Sequence, residues 1–356
     1  MAILVANLSL LSAQEISPTY TTEARELAAH PQIMEAFALA EELDQWSLER
    51  LIELTEIPAP PFLEEARGQR FAQLLEQLGA DSVWTDTEGN VIGLRRGRSG
   101  ERTIGFGGHL DTVFPEGTDV TVRQVGDTLF APGIGDDTRG LVVVLTALRA
   151  MEEAGVETED DVLFVGVVGE EGLGDLRGMK HLFREPNEAP DVWIDVDGGG
   201  LSRLVTMGLG SVRYRTAFNG PGGHSWGAFG LVNPAHAMSR GVNEENRLRR
   251  SGPPLTLENR KGGDRPSGSL ESSLPLIQRA LATTAVFGVS GELARSSTDS
   301  NVPIALGVPA VTIGRGGIGG EGHSPGEWWI NRDGHLAIQR ALLLVVAEAG
   351  LANPIS

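Results

Sequence analysis

The chain has 356 residues, 40% of them hydrophobic and 5% aromatic, with 47 glycines, no cysteine and a net charge of −19. That length suits two domains around a sizeable core, and the charge makes nucleic acid and anionic membranes poor partners. Disulfides are excluded, and no stretch approaches the ~20 consecutive apolar residues of a membrane-spanning helix.

Residues 2–11 (AILVANLSLL) are apolar and run into LSAQ, which looks like a cleavage site, but no Lys or Arg precedes Arg25. The positive region of a signal peptide is therefore missing. Two readings stand: a signal-peptide fragment on a secreted or periplasmic protein, or a frayed or docked N-terminus on a cytoplasmic one. Residues 31–55 carry apolar positions at three- and four-residue spacing, which predicts helix, broken near Ser47 as an N-cap. IPAPP (57–61) is a rigid turn, and 62–79 is helical again, ending at Gly79. Strand signals follow at VWTDT, VIGLRR, TIGFGGH (103–109) and DTLFAPG (127–133).

Residues 140–154 (GLVVVLTALRAMEEA) read as a buried helix. DVLFVGVVGEE (161–171), DVWIDVDG (191–198) and VPAVTIG (308–314) are nearly continuous apolar runs, the pattern of central strands covered on both faces. Such strands alternating with helices predict an α/β fold, a mixed sheet sandwiched between helices, with ligands at the carboxyl ends of the strands. Residues 208–265 differ: an alternating strand at 210–220, a polar helix at 233–252, then a strand and a loose Pro/Gly/Ser return. They read as a small inserted α+β domain, leaving 1–207 and 266–356 as the main domain. The last helices fall at 272–287 and 333–349.

Five segments end in residues that ligate metals: GGHLDTVFPEG (His109, Asp111), APGIGDDTRG (Asp136, Asp137), GVVGEEG (Glu170, Glu171), IDVDGGG (Asp195, Asp197) and GGEGHSPGEWW (His323, Glu327). Imidazoles and carboxylates without thiolate suit a hard-to-borderline divalent ion such as zinc, and there are enough for two. Each segment also has a plainer reading. Asp136 and Asp137 are expected to open the helix that follows them, where carboxylates serve as caps, most paired glutamates are solvated, and loop histidines are usually exposed. Glu170 and Glu171 close a buried strand, and adjacent glutamates point differently, so one can ligate while the other carries a proton. Of the Asp195/Asp197 pair, Asp197 is the better ligand because it is nearer the GGG turn.

The order of GGHLDTV, GDDTRG, GEEG, DGG and GHSPGE resembles the di-zinc metallopeptidase superfamily of peptidase T, glutamate carboxypeptidase, acetylornithine deacetylase, succinyl-diaminopimelate desuccinylase and aminoacylase, over nearly the whole chain. The resemblance implies a zinc-exopeptidase-like domain holding two divalent ions, Zn2+ above all, with Co2+ or Mn2+ as alternatives. It implies that His109 and Asp197 hold one ion, Glu171 and His323 the other, and that Asp136 bridges them through a residue joined to Asp137 by a cis bond. Glu170 would be the general base for a water shared by both ions, and Asp111 would orient His109. His224 in NGPGGHSWG would donate to the oxyanion, and Asn233 in VNPA matches a further polar position. Arg315 and the STDSNVP segment resemble the family's substrate-recognition end, where an arginine would grip a carboxylate. The implied activity is amide hydrolysis of small peptides, as a di- or tripeptidase or carboxypeptidase. The alternatives are an N-acyl amino acid amidohydrolase and an inactive metal-binding relative.

The inserted domain is about half the length usual in that superfamily, with an apparent jump between Val242 and Asn243. The superfamily commonly forms homodimers through the missing elements, so dimerisation and delivery of His224 from a partner are both put in question. Thr138, followed by Arg139, stands where a Lys is usual.

Overall fold

The computed structural model describes residues 15–185, 189–224, 226–240 and 254–352. Among these, the chain begins with α1 (Pro18–Ala28), α2 (Pro31–Glu42), α3 (Asp44–Thr55) and α4 (Glu65–Gln77). The strands β1 (Ser82–Thr85), β2 (Val91–Arg95), β3 (Thr103–His109), β4 (Arg123–Val125) and β5 (Thr128–Phe130) come next. Then α5 (Gly140–Glu153), β6 (Asp161–Val167), α6 (Arg177–Leu182), β7 (Val192–Val196) and β8 (Arg203–Gly208) follow in turn. A second stretch holds β9 (Ser211–Asn219), α7 (Pro234–Arg240) and β10 (Thr256–Arg265). The chain finishes with β11 (Gly268–Ser269), α8 (Pro275–Val286), β12 (Glu292–Ser296), α9 (Asn301–Leu306), β13 (Ala310–Ile313), β14 (Ile318–Gly320), β15 (Trp328–Ile330) and α10 (Gly334–Ala349).

The main sheet runs β1-β2-β6-β3-β7-β13-β8-β11, with β12 also on β8. The central pairs β6–β3, β3–β7 and β7–β13 are parallel, while β1, β2 and β8 join antiparallel. This mixed sheet agrees with the predicted fold class. The continuous apolar runs have a physical cause in double burial. On β6, Val162 and Phe164 face the cluster built by α5, α8 and α10, whereas Leu163, Val165 and Val167 face a second cluster with Trp193, Met179 and Ile304. Each fully buried side chain of this kind contributes about 1.5–3 kcal/mol. The first turns of helix α5 have no polar face, because they lie between the sheet and the other helices, with Leu141 through Leu145 all buried; only near its end do Arg149, Glu152 and Glu153 reach solvent.

A second sheet, β14-β15-β5-β4, is antiparallel throughout and was not expected from the sequence. It joins the segment after β5 to the segment before β15, residues nearly two hundred positions apart, and so brings together two loops that carry candidate ligands.

Four local expectations need correction. The break in the first helical region is at Leu43, not Ser47; Ser47 lies inside α3, buried, and its Oγ accepts a hydrogen bond from Arg139 Nη1 at 2.7 Å. The helix expected from residue 62 starts at Glu65, since Phe62 has φ of +72° and stands outside it. The strand expected over 127–133 is confined to Thr128–Phe130, as Gly133 turns the chain with φ of +78°. Asp136 and Asp137 do not open the helix directly: both have non-helical dihedrals, and α5 begins at Gly140.

By density of internal contacts the chain divides into Met1–Gly210 with Pro266–Ser356, and Ser211–Arg265. Within the smaller unit, β9 and β10 form an antiparallel ribbon, and Val232, Ala237 and Leu255 make its apolar core with Phe218. The apolar segment 2–11, the Val242–Asn243 junction and the second half of the helix expected over 233–252 lie outside the described residues. Among the described residues, no helix is long and apolar enough to cross a membrane.

Candidate metal centre

The strands β6, β3 and β7 are adjacent and parallel, so their carboxyl ends meet along one edge of the sheet. His109 is the last residue of β3, Glu170 and Glu171 follow β6, and Asp197 directly follows β7. Sequence positions up to 88 apart are thereby placed side by side. His323 and Asp136 arrive from the second sheet. β15 pairs with β5 and the Ala131 amide donates to the Glu327 carbonyl at 3.1 Å, which ties the loop containing Asp136 to the loop containing His323.

The two histidines converge on one carboxylate. Asp136 Oδ1 lies 3.1 Å from His109 Nε2, and its Oδ2 lies 3.0 Å from His323 Nε2. His323 Nε2 is also 2.8 Å from Glu171 Oε1. Three triplets have ligand atoms within 4.8 Å of one another: His109, Asp136 and Asp197; Asp136, Glu171 and His323; and His109, Glu170 and Glu171. The first two triplets share Asp136. The peptide bond between Asp136 and Asp137 is cis.

The groups behind these atoms hold them in place. His109 Nδ1 is 2.9 Å from the Asp111 carbonyl oxygen and 3.7 Å from its carboxylate. The ring is thus oriented by the backbone of Asp111, leaving Nε2 for the centre. The Asp111 carboxylate instead accepts the amides of Glu170 at 3.0 Å and Glu171 at 2.8 Å. Asp137 accepts from the amides of His109 and Gly140 and takes no part in the triplets. Asp195 accepts from Thr312 Oγ1 at 3.0 Å, which leaves Asp197 as the member of that pair facing the histidine.

Glu327, in the same motif as His323, takes no part in the triplets. It is buried, and it accepts from the amides of Gly133 at 2.8 Å, Gly135 at 2.9 Å and Asp136 at 2.9 Å. The only clue in the sequence is its spacing, four residues after His323 in HSPGE. A Cβ on Gly135 would lie 2.5 Å from Arg315 Nη2 and 2.9 Å from Glu327 Oε1, so a side chain there would displace these two groups.

The electrostatics are those of a site built for cations. Burial works against charge on His109, yet hydrogen bonding to Asp136 and the nearby charges of Asp137, Asp111 and Asp136 hold its pKa well above the usual range. Hydrogen bonds to Asp136 and Glu171 raise His323 to about 10. Burial pushes Asp136 up, but its bonds to His109 and His323 prevail and hold it below the usual carboxylate range. Asp197 is raised by burial and by Asp136, and Asp195 is raised to about 8 by burial and by Asp197. The protons on the two imidazoles thus occupy positions that divalent ions can take. Two nitrogen and several oxygen donors, grouped within a few ångströms around a shared carboxylate, fit a pair of zinc-like ions.

The remaining predicted residues have local partners. Arg315 is half-buried, beside Gly135 and Gly198, and its charge acts on Asp136, Asp137 and Asp197. In the smaller unit His224 is exposed, and its Nδ1 accepts from the amides of Trp226 and Gly227 at 3.3 and 3.1 Å. Asn233 Oδ1 accepts from the Ala235 amide at 2.8 Å at the start of α7.

Fold and donor set together define a mixed α/β protein with a candidate metal site at the carboxyl edge of its sheet. The chain belongs to Peptidase family M20/M25/M40, which matches residues 105–347. It is 35% identical over 123 residues to a putative [LysW]-lysine/[LysW]-ornithine hydrolase of Pyrococcus abyssi, covering 35% of this chain and 33% of that protein. It is 36% identical over 69 residues to carboxypeptidase G2 of Pseudomonas sp., covering 19% of this chain and 16% of that one. The chain thus spans a third or less of the curated relatives it matches. Its fold is similar to that of the dipeptidase Dug1p of Saccharomyces cerevisiae, with a TM-score of 0.71 and 14% identity over 89% of this chain and 99% of that one.

Proposed function

We propose that this chain is a two-metal amide hydrolase of small peptides, with Glu170 as its general base. The observation that carries this reading is the sharing of Asp136 between the triplet with His109 and Asp197 and the triplet with Glu171 and His323. When bound, two divalent ions supply Lewis acidity toward a scissile carbonyl and make a water easier to deprotonate.

The protein's own residues do the rest. Glu170 is buried beside His109 and Glu171, and its backbone is anchored on Asp111, which keeps the residue at the candidate site. It takes the proton from the attacking water and returns it to the departing amine, the two tasks of a general acid–base group. His224 donates to the oxyanion that develops on the carbonyl, and Asn233 contacts the substrate. Arg315 grips a substrate carboxylate, for which a guanidinium fork is well suited. The activities for which the relatives are named, a carboxypeptidase, a dipeptidase and a putative [LysW]-lysine/[LysW]-ornithine hydrolase, support hydrolysis of a peptide-like substrate over an inactive binding role. An N-acyl amino acid is the second substrate class consistent with the same site.

The test is Glu170→Ala, assayed against a dipeptide panel beside N-acetyl amino acids with zinc content measured in parallel. Turnover should collapse while zinc stays near two per chain, as Glu170 lies outside the two triplets that share Asp136. Undiminished turnover, or a wild-type protein that takes up no metal, removes the proposal.

A further inference from the structure

Arg67 lies on α4, a helix that contributes no candidate ligand, yet it reaches the metal centre from behind. It is fully buried, without a carboxylate among its hydrogen-bond partners. Its Nη1 donates to the Leu110 carbonyl at 2.9 Å, and Leu110 is the residue between His109 and Asp111. Its Nε and Nη2 donate to the Ile57 carbonyl at 3.0 and 2.7 Å, and Nη2 also reaches the Thr55 carbonyl at 3.4 Å. The neighbouring Thr112 amide donates to the Ala59 carbonyl at 2.9 Å, so the whole turn after β3 is fastened to the 55–59 loop.

A buried guanidinium with no carboxylate hydrogen-bonded to it among the described residues is expensive. The negative charge that bears on it is that of Asp111. The same carboxylate accepts the amides of Glu170 and Glu171, and the Asp111 carbonyl oxygen holds the His109 ring. One cation and one anion, both out of water, therefore sit at the junction of three segments of the centre. Arginine suits this place because its rigid fork presents five donors and stays charged; a lysine has a single donor head and cannot span the same carbonyls in the plane.

We infer that Arg67 is a positioning residue for the metal centre: its guanidinium fixes the His109–Leu110–Asp111 turn and, through Asp111, the start of the Glu170–Glu171 segment. This rests on the two-metal reading above. Nothing moves through Arg67 itself; its effect is on where His109 and the two glutamates stand.

The experiment is zinc titration of wild type, Arg67→Lys and Arg67→Met, each first checked for a native circular-dichroism spectrum and melting transition. Loss of such an outer partner typically lowers metal affinity about 10- to 100-fold. We expect a loss in that range in Arg67→Met, largest for the ion served by His109, with Arg67→Lys recovering only part of it. If Arg67→Met does not fold, Arg67→Lys decides. A folded variant that binds two zinc ions with wild-type affinity overturns the inference, because a role confined to stability would lower the melting temperature and leave affinity alone. Failure of the wild type to bind zinc would instead count against the two-metal reading.

Discussion

Glu327 Oε1 accepts a hydrogen bond from the Asp136 amide at 2.9 Å. The carboxylate shared by both candidate triplets is therefore set in place by another carboxylate, from the residue just before β15, the strand paired with β5. Glu327 also takes the amides of Gly133 and Gly135, so the whole approach to Asp136 is wrapped around one buried acceptor. An ionised carboxylate accepting three backbone amides is a strong and directional anchor.

Replacing Glu327 by Gln keeps its size but turns one accepting oxygen into a donor facing backbone amides. The Asp136 loop then loses its anchor. Zinc affinity should fall about 10- to 100-fold, as for other groups that orient ligands, and for both ions, since Asp136 is common to both triplets. Calorimetric zinc titration checks this. Loss at a single site would show that Glu327 serves His323 through chain connectivity instead of Asp136.

Metal uptake should be strongly pH-dependent. In the metal-free protein His323 is raised to about 10 and His109 stands well above its ordinary value. Because the folded values are raised, these charged rings stabilise the metal-free protein fully below the unfolded histidine pKa of about 6.5, and that contribution is lost as pH rises through about 10 for His323. Zinc needs the unprotonated ring, so near pH 7 each histidine must expel a proton, and affinity should increase as pH is raised from 7 toward 10. Calorimetry in buffers of different ionisation enthalpy should report about two protons released when both ions bind. Heat that is independent of the buffer would mean that the imidazoles are already neutral.

Arg315 stands beside the ligand carboxylates, which sharpens the test of its role. If it grips substrate, Arg315→Ala raises KM about tenfold or more for a peptide with a free carboxylate, in line with a charged hydrogen bond of about 1.5–3 kcal/mol. The corresponding peptide amide should show no such change. We expect this split, with zinc content unchanged. A fall in zinc affinity with KM unaltered would assign the guanidinium to Asp136 and Asp197 alone.

Much of the centre could be read from the chain because its residues close strands whose apolar runs are unmistakable. His109, Glu170, Glu171 and Asp197 all follow from locating β3, β6 and β7. What could not be read depends on contacts that leave no local pattern. The strands of the second sheet are three residues each, too short for any periodicity, so nothing announced that the Asp136 and His323 loops are paired. Arg67 reads as an ordinary charged residue on an amphipathic helix, since its buried position depends on the 55–59 loop folding over it. Asp111 has the expected neighbour, but its carboxylate is used on Glu170 and Glu171 while its carbonyl holds the ring.

Ser47 is the instructive miss. A serine before an apolar run looks like an N-cap, yet here it is buried and accepts from Arg139 Nη1 at 2.7 Å. Arg139 also donates to the Gly334 carbonyl at 3.0 Å and lies 4.8 Å from the centroid of the Trp329 ring, so it links α3 to β15 and to the start of α10. Ser47→Ala leaves a buried donor without its acceptor and should cost about 1–3 kcal/mol. A capping serine would give a loss of similar size, so the single variant does not discriminate. The double-mutant cycle with Arg139→Met does: if Ser47 acts through Arg139, the second substitution removes the stranded donor and the losses are less than additive. Denaturant unfolding of the four proteins measures the coupling, and strictly additive losses would mean that Ser47 does not act through Arg139.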